Sequence, residues 1–190
     1  MKNWVEKEQL EEDILQSLKK DLKIDDFICT LLLQREVDSL KKAQNFFRPD
    51  INLLHDPFLM KDMKKVVEKI QNLKEHRIMI LGDYDVDGTT STAMLYKYFK
   101  NMGYDLLYYI PDRYEEGYGV SEKAIKYAEI NKVSLIITVD CGIKAIHQVE
   151  LSNSKNIDVV ICDHHLPGEQ IPNAFGILNP KQENCNYPFK

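Results

Sequence analysis

The sequence contains no apolar run approaching the roughly 20 residues that a membrane-spanning helix needs. Its opening residues, MKNWVEKEQLEED, are acidic and lack the apolar stretch of a signal peptide, which argues for a cytoplasmic protein rather than an exported one. Cysteine is sparse and scattered. Cys29, Cys141, Cys162 and Cys185 form no CxxC pair, so they read as reduced thiols, with neither disulfide staples nor a cysteine zinc site implied. Basic charge is in deficit, 25 Lys and Arg against 30 Asp and Glu, so a broad basic surface for nucleic acid is not apparent. Any nucleic-acid contact must then be local or metal-mediated. No internal repeat or low-complexity tract is present.

What remains is an ordinary globular composition over 190 residues, enough for one α/β domain with a smaller appendage. The first 75 or so residues read as helical. Val5, Leu10, Ile14 and Leu18 keep helical spacing, as do Ile24, Phe27, Ile28, Leu31 and Leu32. Val37, Leu40, Ala43 and Phe47 predict a third helix stopped near Pro49, and RPDINLLHDPF a turn-rich linker. Met60, Met63, Val67, Ile70 and Leu73 predict a fourth helix. From Arg77 the rhythm changes to short apolar runs at 77–81, 106–110, 135–139 and 158–162, separated by helix-like segments at roughly 89–102, 121–131 and 142–155. That alternation predicts an α/β domain over 76–190, a parallel sheet flanked by helices on both faces.

Ligand sites in such sheets gather beyond the carboxyl ends of the strands. Here the first run is followed by Asp83, Asp85 and Asp87, the second by Asp112 and Arg113, the third by Asp140, and the fourth by Asp163, His164 and His165. Three chemistries compete for the aspartate-rich stretch LGDYDVDGTTST. A calcium loop wants a bidentate Glu at its twelfth position, which is Met94 counting from Asp83, and follows a helix rather than an apolar strand. An aspartyl-phosphate phosphatase would take Asp85 as nucleophile and Asp87 as acid/base, with Thr138 ending a second motif. It has no use for two adjacent histidines. A two-metal phosphoesterase uses every group: several carboxylates, one of them bridging, and neutral imidazoles around ions about 3.5–4 Å apart. On this reading Asp85 and Asp87 face different ions, Asp140 bridges, and His164 or His165 supplies nitrogen, favouring manganese over calcium. Gly82 and Gly88 permit the tight turn, and Thr89 and Thr90 are the expected caps of the next helix.

GDYDVDGTTS, TVDCGI and ICDHHLPGE resemble, in order, the motifs of the DHH phosphoesterases. PDRYEEGYGVS, LNPKQENCNYPFK and FFRPDINLLHDPF resemble the RecJ branch of single-strand-specific 5′→3′ exonucleases, so the likeness spans nearly the whole chain. The resemblance implies two manganese or magnesium ions held by Asp85, Asp87, Asp140 and His164. Leu81 stands where relatives carry a histidine, and Asp83 is taken as a ligand in its stead. It also implies that Asp163 orients a histidine, that His165 touches the scissile phosphate, and that Asp87, Asp140, His164 and His165 carry catalysis. Arg113 would grip a 5′-phosphate or a backbone phosphate, with a surface salt bridge to Glu115 or Glu116 as the plainer alternative. Gly117, Tyr118 and Gly119 complete the expected substrate contacts, Tyr118 by stacking. His55, His76 and His147 read as solvated histidines, and Cys141 and Cys162 as small fillers at strand ends.

The family's catalytic domain continues to a further aspartate ligand and to carboxyl-terminal domains, so the chain is expected to be the front portion of a larger, monomeric repair and recombination enzyme. A nano-RNase, a cyclic-dinucleotide phosphodiesterase and a non-catalytic nucleic-acid-binding fragment are the alternatives.

Overall fold

A computed structural model describes residues 11–189, in two compact units that part between Leu54 and His55. The first unit contains α1 (Glu12–Leu22), α2 (Asp26–Leu33) and α3 (Leu40–Phe47). Asp25 caps α2 by accepting from the Phe27 N–H at 2.8 Å, and Ser39 caps α3. Leu18, Cys29, Leu32, Val37 and Ala43 form its core. Helical spacing misassigned part of that core: Phe27, Ile28, Leu40 and Phe47 are exposed. The helix DFICTLLL is apolar nearly all round, so spacing alone cannot choose its buried face. Helix α1 covers one side of it, and that side is the one bearing Cys29 and Leu32. Val5 and Leu10 lie outside the described residues.

The second unit begins with a 3-10 turn at Pro57–Leu59, which precedes α4 (Met63–Gln71). There follow β1 (Arg77–Gly82), α5 (Val86–Asn101), β2 (Asp105–Tyr109), α6 (Glu122–Ile130), β3 (Leu135–Val139), α7 (Ile146–Ser154), β4 (Asp158–Cys162) and β5 (Gly176–Leu178). All strand pairs are parallel, in the order β2-β1-β3-β4-β5. Alternation along the strands divides the core in two. Met79, Leu81, Ile136, Val159 and Ile161 face α6 and α7, whereas Ile78, Ile80, Leu135, Ile137 and Val160 face α4 and α5. Most of these side chains are fully buried, which at about 25 cal/mol per Å² of apolar surface makes the sheet the main source of stability.

Two departures from expectation have local causes. The three-residue β5 falls below the length at which an apolar run can be told from a loop. In α4 the buried residue is Val66 rather than Val67, because Val66 packs against Gly176 of β5.

The chain leaves β1 toward β2 on one side and returns to β3 on the other. The carboxyl ends of β1 and β3 therefore lie side by side, with Gly82 in register with Val139. The residues that follow, Asp83 and Asp140, sit at this topological switch point.

Candidate metal centre

Asp140 stands directly after β3 with φ of +62°, a left-handed conformation uncommon outside glycine, and its N–H donates to the Cys162 carbonyl at 2.9 Å. Such conformations persist where surrounding structure enforces them. Its carboxylate, only 6% exposed, lies 3.0 Å from His164 Nε2. Asp140, His164 and His165 each offer a ligand atom within 4.8 Å of the others, and Asp85 makes a side-chain contact with Asp140. Burial pushes the Asp140 carboxyl up, His164 pulls it down, and the Asp85 charge adds to the rise; the net direction is upward.

Asp163 serves the two histidines from beneath. Its side chain is 1% exposed. Oδ1 accepts the N–H groups of His164 (2.7 Å) and His165 (3.0 Å) and faces His165 Nδ1 at 2.7 Å, while Oδ2 accepts the Ile143 N–H at 3.0 Å. Burial opposes its charge, yet these donors outweigh burial and hold its carboxyl below the usual range. The His165 carbonyl accepts from Asn179 Nδ2 and the His164 carbonyl from Lys181 Nζ. Asn179 and Lys181 were missed by sequence reasoning, although both stand in the LNPKQ stretch; a side chain that holds a backbone carbonyl carries no chemical signature.

The aspartate-rich turn is built by close packing. Asp85 caps α5, its Oδ1 accepting the Gly88 N–H at 3.0 Å. Thr89 and Thr90, expected as caps, lie inside the helix, their hydroxyls returning to the carbonyls of Asp85 and Val86 at 2.7 and 2.6 Å. The correction is physical: Asp85 takes the cap first, and the helix starts three residues earlier. A Cβ at Gly88 would lie 2.7 Å from the Asp83 carbonyl carbon, so glycine lets α5 abut the end of β1. Asp83 is fully buried. Its Oδ1 accepts the Gly119 N–H at 3.3 Å, and its Oδ2 has no hydrogen-bond partner. Asp87 is exposed on the first turn of α5. With Asp140, Asp163, His164, Thr90 and Met94 it lines a cleft of about 540 Å³. Leu81 is fully buried in the core and offers no donor.

The loop after β2 reaches the same place. The Tyr118 hydroxyl donates to the Asp140 carbonyl at 3.1 Å and lies 3.4 Å from His165 Nε2. Burial, then the charges of Asp83, Asp140 and Asp163, push its phenol well above the ordinary value. Arg113 is exposed and makes no ion pair among the described residues; its guanidinium carbon lies 5.3 Å from the Tyr84 ring centre. Glu115 pairs instead with Lys123, and Glu116 is turned inward. Tyr84 in turn meets the Tyr118 ring edge-on. Sequence reasoning missed Tyr84, though it stands between two of the quoted aspartates. Gly117 sits in the left-handed turn of this loop, with open space where a Cβ would stand. Burial raises the Cys141 and Cys162 thiols, the latter to about 12, so neither is a thiolate. His55, His76 and His147 lie elsewhere, against Tyr187, Ser134 and Glu122.

The structure therefore gathers Asp83, Asp85, Asp140, Asp163, His164, His165, Tyr118 and Gly119, borders them with Asp87, and leaves Arg113 one aromatic ring away. Residues 77–187 match the DHH family, N-terminal domain. The chain belongs to the DHH family. Its DHH domain brings together the aspartates after β1 and β3 and the Asp-His-His after β4. Over 182 residues the chain is 39% identical to the single-stranded-DNA-specific exonuclease RecJ of Bacillus subtilis (strain 168), covering 95% of this chain and 23% of that protein. Over 131 residues it is 40% identical to the Escherichia coli (strain K12) protein of the same name, covering 67% and 23%. The chain thus spans less than a quarter of the length of these curated relatives. A crystal structure of exonuclease RecJ bound to manganese superposes with a TM-score of 0.62 at 29% identity, over 69% of this chain and 34% of that one. The crystal structure of RecJ from Thermus thermophilus in complex with Mn2+ shares the fold, with a TM-score of 0.68 at 21% identity, over 93% and 24%.

The donor set suits divalent cations. A buried carboxylate oxygen without a partner, on Asp83, and two carboxylates crowded together, Asp85 and Asp140, are each unfavourable alone and are relieved by a positive ion. Oxygen donors with one or two imidazoles are the ligand chemistry of manganese and its neighbours.

Proposed function

We propose that the DHH domain is the metal-dependent hydrolytic centre of an exonuclease that degrades single-stranded DNA from the 5′ end, in the cytoplasm, during repair and recombination. The observation that carries this reading is the convergence of Asp140 and His164, 3.0 Å apart, with the partnerless Asp83 oxygen at the β1/β3 switch point. The relatives' names, and the manganese in the structure at 29% identity, agree with it.

Asp83, Asp85, Asp87, Asp140 and His164 would hold two manganese or magnesium ions, Asp140 serving both. Divalent ions there would make a water nucleophilic near neutral pH and neutralise charge developing on the scissile phosphate. The chain's own side chains supply the rest. Asp163 fixes the His165 ring through Nδ1, leaving Nε2 to face a phosphate oxygen. The Tyr118 hydroxyl, which donates to the Asp140 carbonyl, lies 3.4 Å from that nitrogen. Arg113, without an ion-pair partner among the described residues, would clamp the 5′-phosphate, and the half-buried ring of Tyr84 and the exposed ring of Tyr118 would offer faces to the first bases.

The test is product analysis with manganese on single-stranded DNA labelled at either end, alongside short oligoribonucleotides and cyclic dinucleotides. Mononucleotides released from the 5′ end support the reading. Hydrolysis of the dinucleotides alone would move the protein to a small-nucleotide phosphodiesterase. Within this account Arg113→Ala weakens use of 5′-phosphorylated ends about tenfold while leaving manganese affinity unchanged.

A further inference from the structure

The loop from Asp112 to Gly119 is polar, exposed along much of its length, and carries Arg113 and Tyr118. Such a loop has little reason to hold one shape. Here a single buried carboxylate ties it down. The Glu116 side chain is 5% exposed, in a loop whose neighbouring Glu115 side chain is 71% exposed. It accepts from the Tyr109 hydroxyl, 2.8 and 3.0 Å from its two oxygens, from the Asp112 N–H at 3.0 Å, and from the Ser121 hydroxyl. These partners lie at the end of β2, at the start of the loop and at the N-cap of α6, where Ser121 also accepts the Ala124 N–H. The backbone returns on itself at the same place, Glu116 and Gly117 both donating to the Asp112 carbonyl. Beyond the left-handed Gly117, the far end of the loop is fixed by the Gly119 N–H on Asp83 and the Tyr118 hydroxyl on the Asp140 carbonyl.

Resting on the reading that this loop meets substrate, we infer that Glu116 is its positioning residue: one buried carboxylate joining β2, the Asp112 turn and α6 sets where Arg113 and Tyr118 stand relative to the aspartates after β1 and β3. Glu116 touches neither ion nor substrate. It acts on end recognition, through Arg113, and not on metal affinity. A buried acceptor that satisfies three donors leaves all three unpaired when it is removed, so the loop gains alternatives that the intact protein lacks.

The experiment is a double-mutant cycle with two readouts, on Glu116→Ala, Arg113→Ala and the combined variant, with Glu116→Gln added because it keeps the side-chain volume and folds should the alanine variant fail to. The first readout is amide exchange. In the Glu116 variants the Gly119 amide exchanges about tenfold faster or more while the Ile80 and Ile137 amides keep wild-type protection, as expected of local rather than global release. The second is the affinity of 5′-phosphorylated over 5′-hydroxyl single-stranded DNA in a calcium buffer. Glu116→Ala loses about tenfold of that preference, and the combined variant is no worse than Arg113→Ala alone. Unchanged Gly119 protection, additive losses in the combined variant, or a matching fall in manganese affinity would each overturn the inference. If the wild-type chain shows no preference for the phosphorylated end, the role proposed for Arg113 falls, and the exchange readout by itself decides for or against Glu116.

Discussion

His164 Nε2 lies 3.0 Å from Asp140 Oδ1, although 24 residues separate them in the chain. The pairing follows from the neighbouring places of β3 and β4 in the sheet, where Val139 and Cys162 stand in register. Each residue is the first or second beyond its strand, so parallel pairing alone aligns carboxylate and imidazole. Asp83 joins them because β1 flanks β3 on the other side. Three adjacent strands, with no long-range loop, thus bring Asp83, Asp140 and His164 together.

Asp163 makes the clearest prediction about support. Its two oxygens satisfy three backbone N–H groups and one imidazole nitrogen. In Asp163→Asn one oxygen becomes an NH2 group facing a donor, which leaves a buried N–H unpaired and turns the histidines. Manganese affinity should fall about 10- to 100-fold, and folding stability by about 2–3 kcal/mol. Calorimetric metal titration and urea denaturation measure the two losses separately. Wild-type values for both would remove Asp163 from the account.

The Glu116–Tyr109 pair makes stability depend on pH at both ends. Burial opposes the Glu116 charge, but donation from Asp112, Ser121 and Tyr109, with Lys123 nearby, holds its carboxyl below the ordinary value. A depressed folded-state carboxyl stabilises above the unfolded value of about 4.3 and loses that contribution as pH falls through the folded one. Tyr109 has the opposite sign: burial and then Glu116 push it up to about 12, so its contribution is complete below about 10 and lost as pH rises through 12. Urea denaturation across pH should show both limbs in the wild type, with Glu116→Gln flattening each. Superimposable profiles would contradict the pairing.

Gly88 tests the packing of the aspartate-rich turn. In a helix interior alanine is favoured over glycine by about 1 kcal/mol. Here the added Cβ would run into the Asp83 backbone, so the sign reverses. Gly88→Ala should destabilise the chain by about 1–3 kcal/mol and weaken manganese binding by displacing Asp83. A rise in melting temperature would show that α5 does not abut β1 as described.

The four long strands and the rim they feed were legible in the sequence because each strand is an apolar run followed at once by its functional residues. Alternation could not be read within β3, buried on both faces, but parallel pairing needs none. The Asp83, Asp140 and Asp-His-His positions were equally legible, since spacing along a strand end fixes position in space. Three things were not. The buried face of α2 depends on which side its neighbours cover; β5 is too short to carry a pattern; and the inward turn of Glu116, beside an outward Glu115 of the same chemistry, is decided by partners at Tyr109 and Ser121 that only the folded chain assembles. The cap of α5 went to Asp85 rather than the threonines for a related reason: several residues of the stretch are competent caps, and the close approach of Gly88 to Asp83 selects one.

Whether Asp140 and its neighbours form a divalent-metal centre is decided by calorimetric titration of manganese into the chain and into Asp140→Ala, with circular dichroism to establish that both are folded. A metal centre on Asp140 loses about 100-fold or more in affinity when that one carboxylate is removed in a folded variant. Manganese bound equally tightly by both proteins would place the metal elsewhere and contradict it.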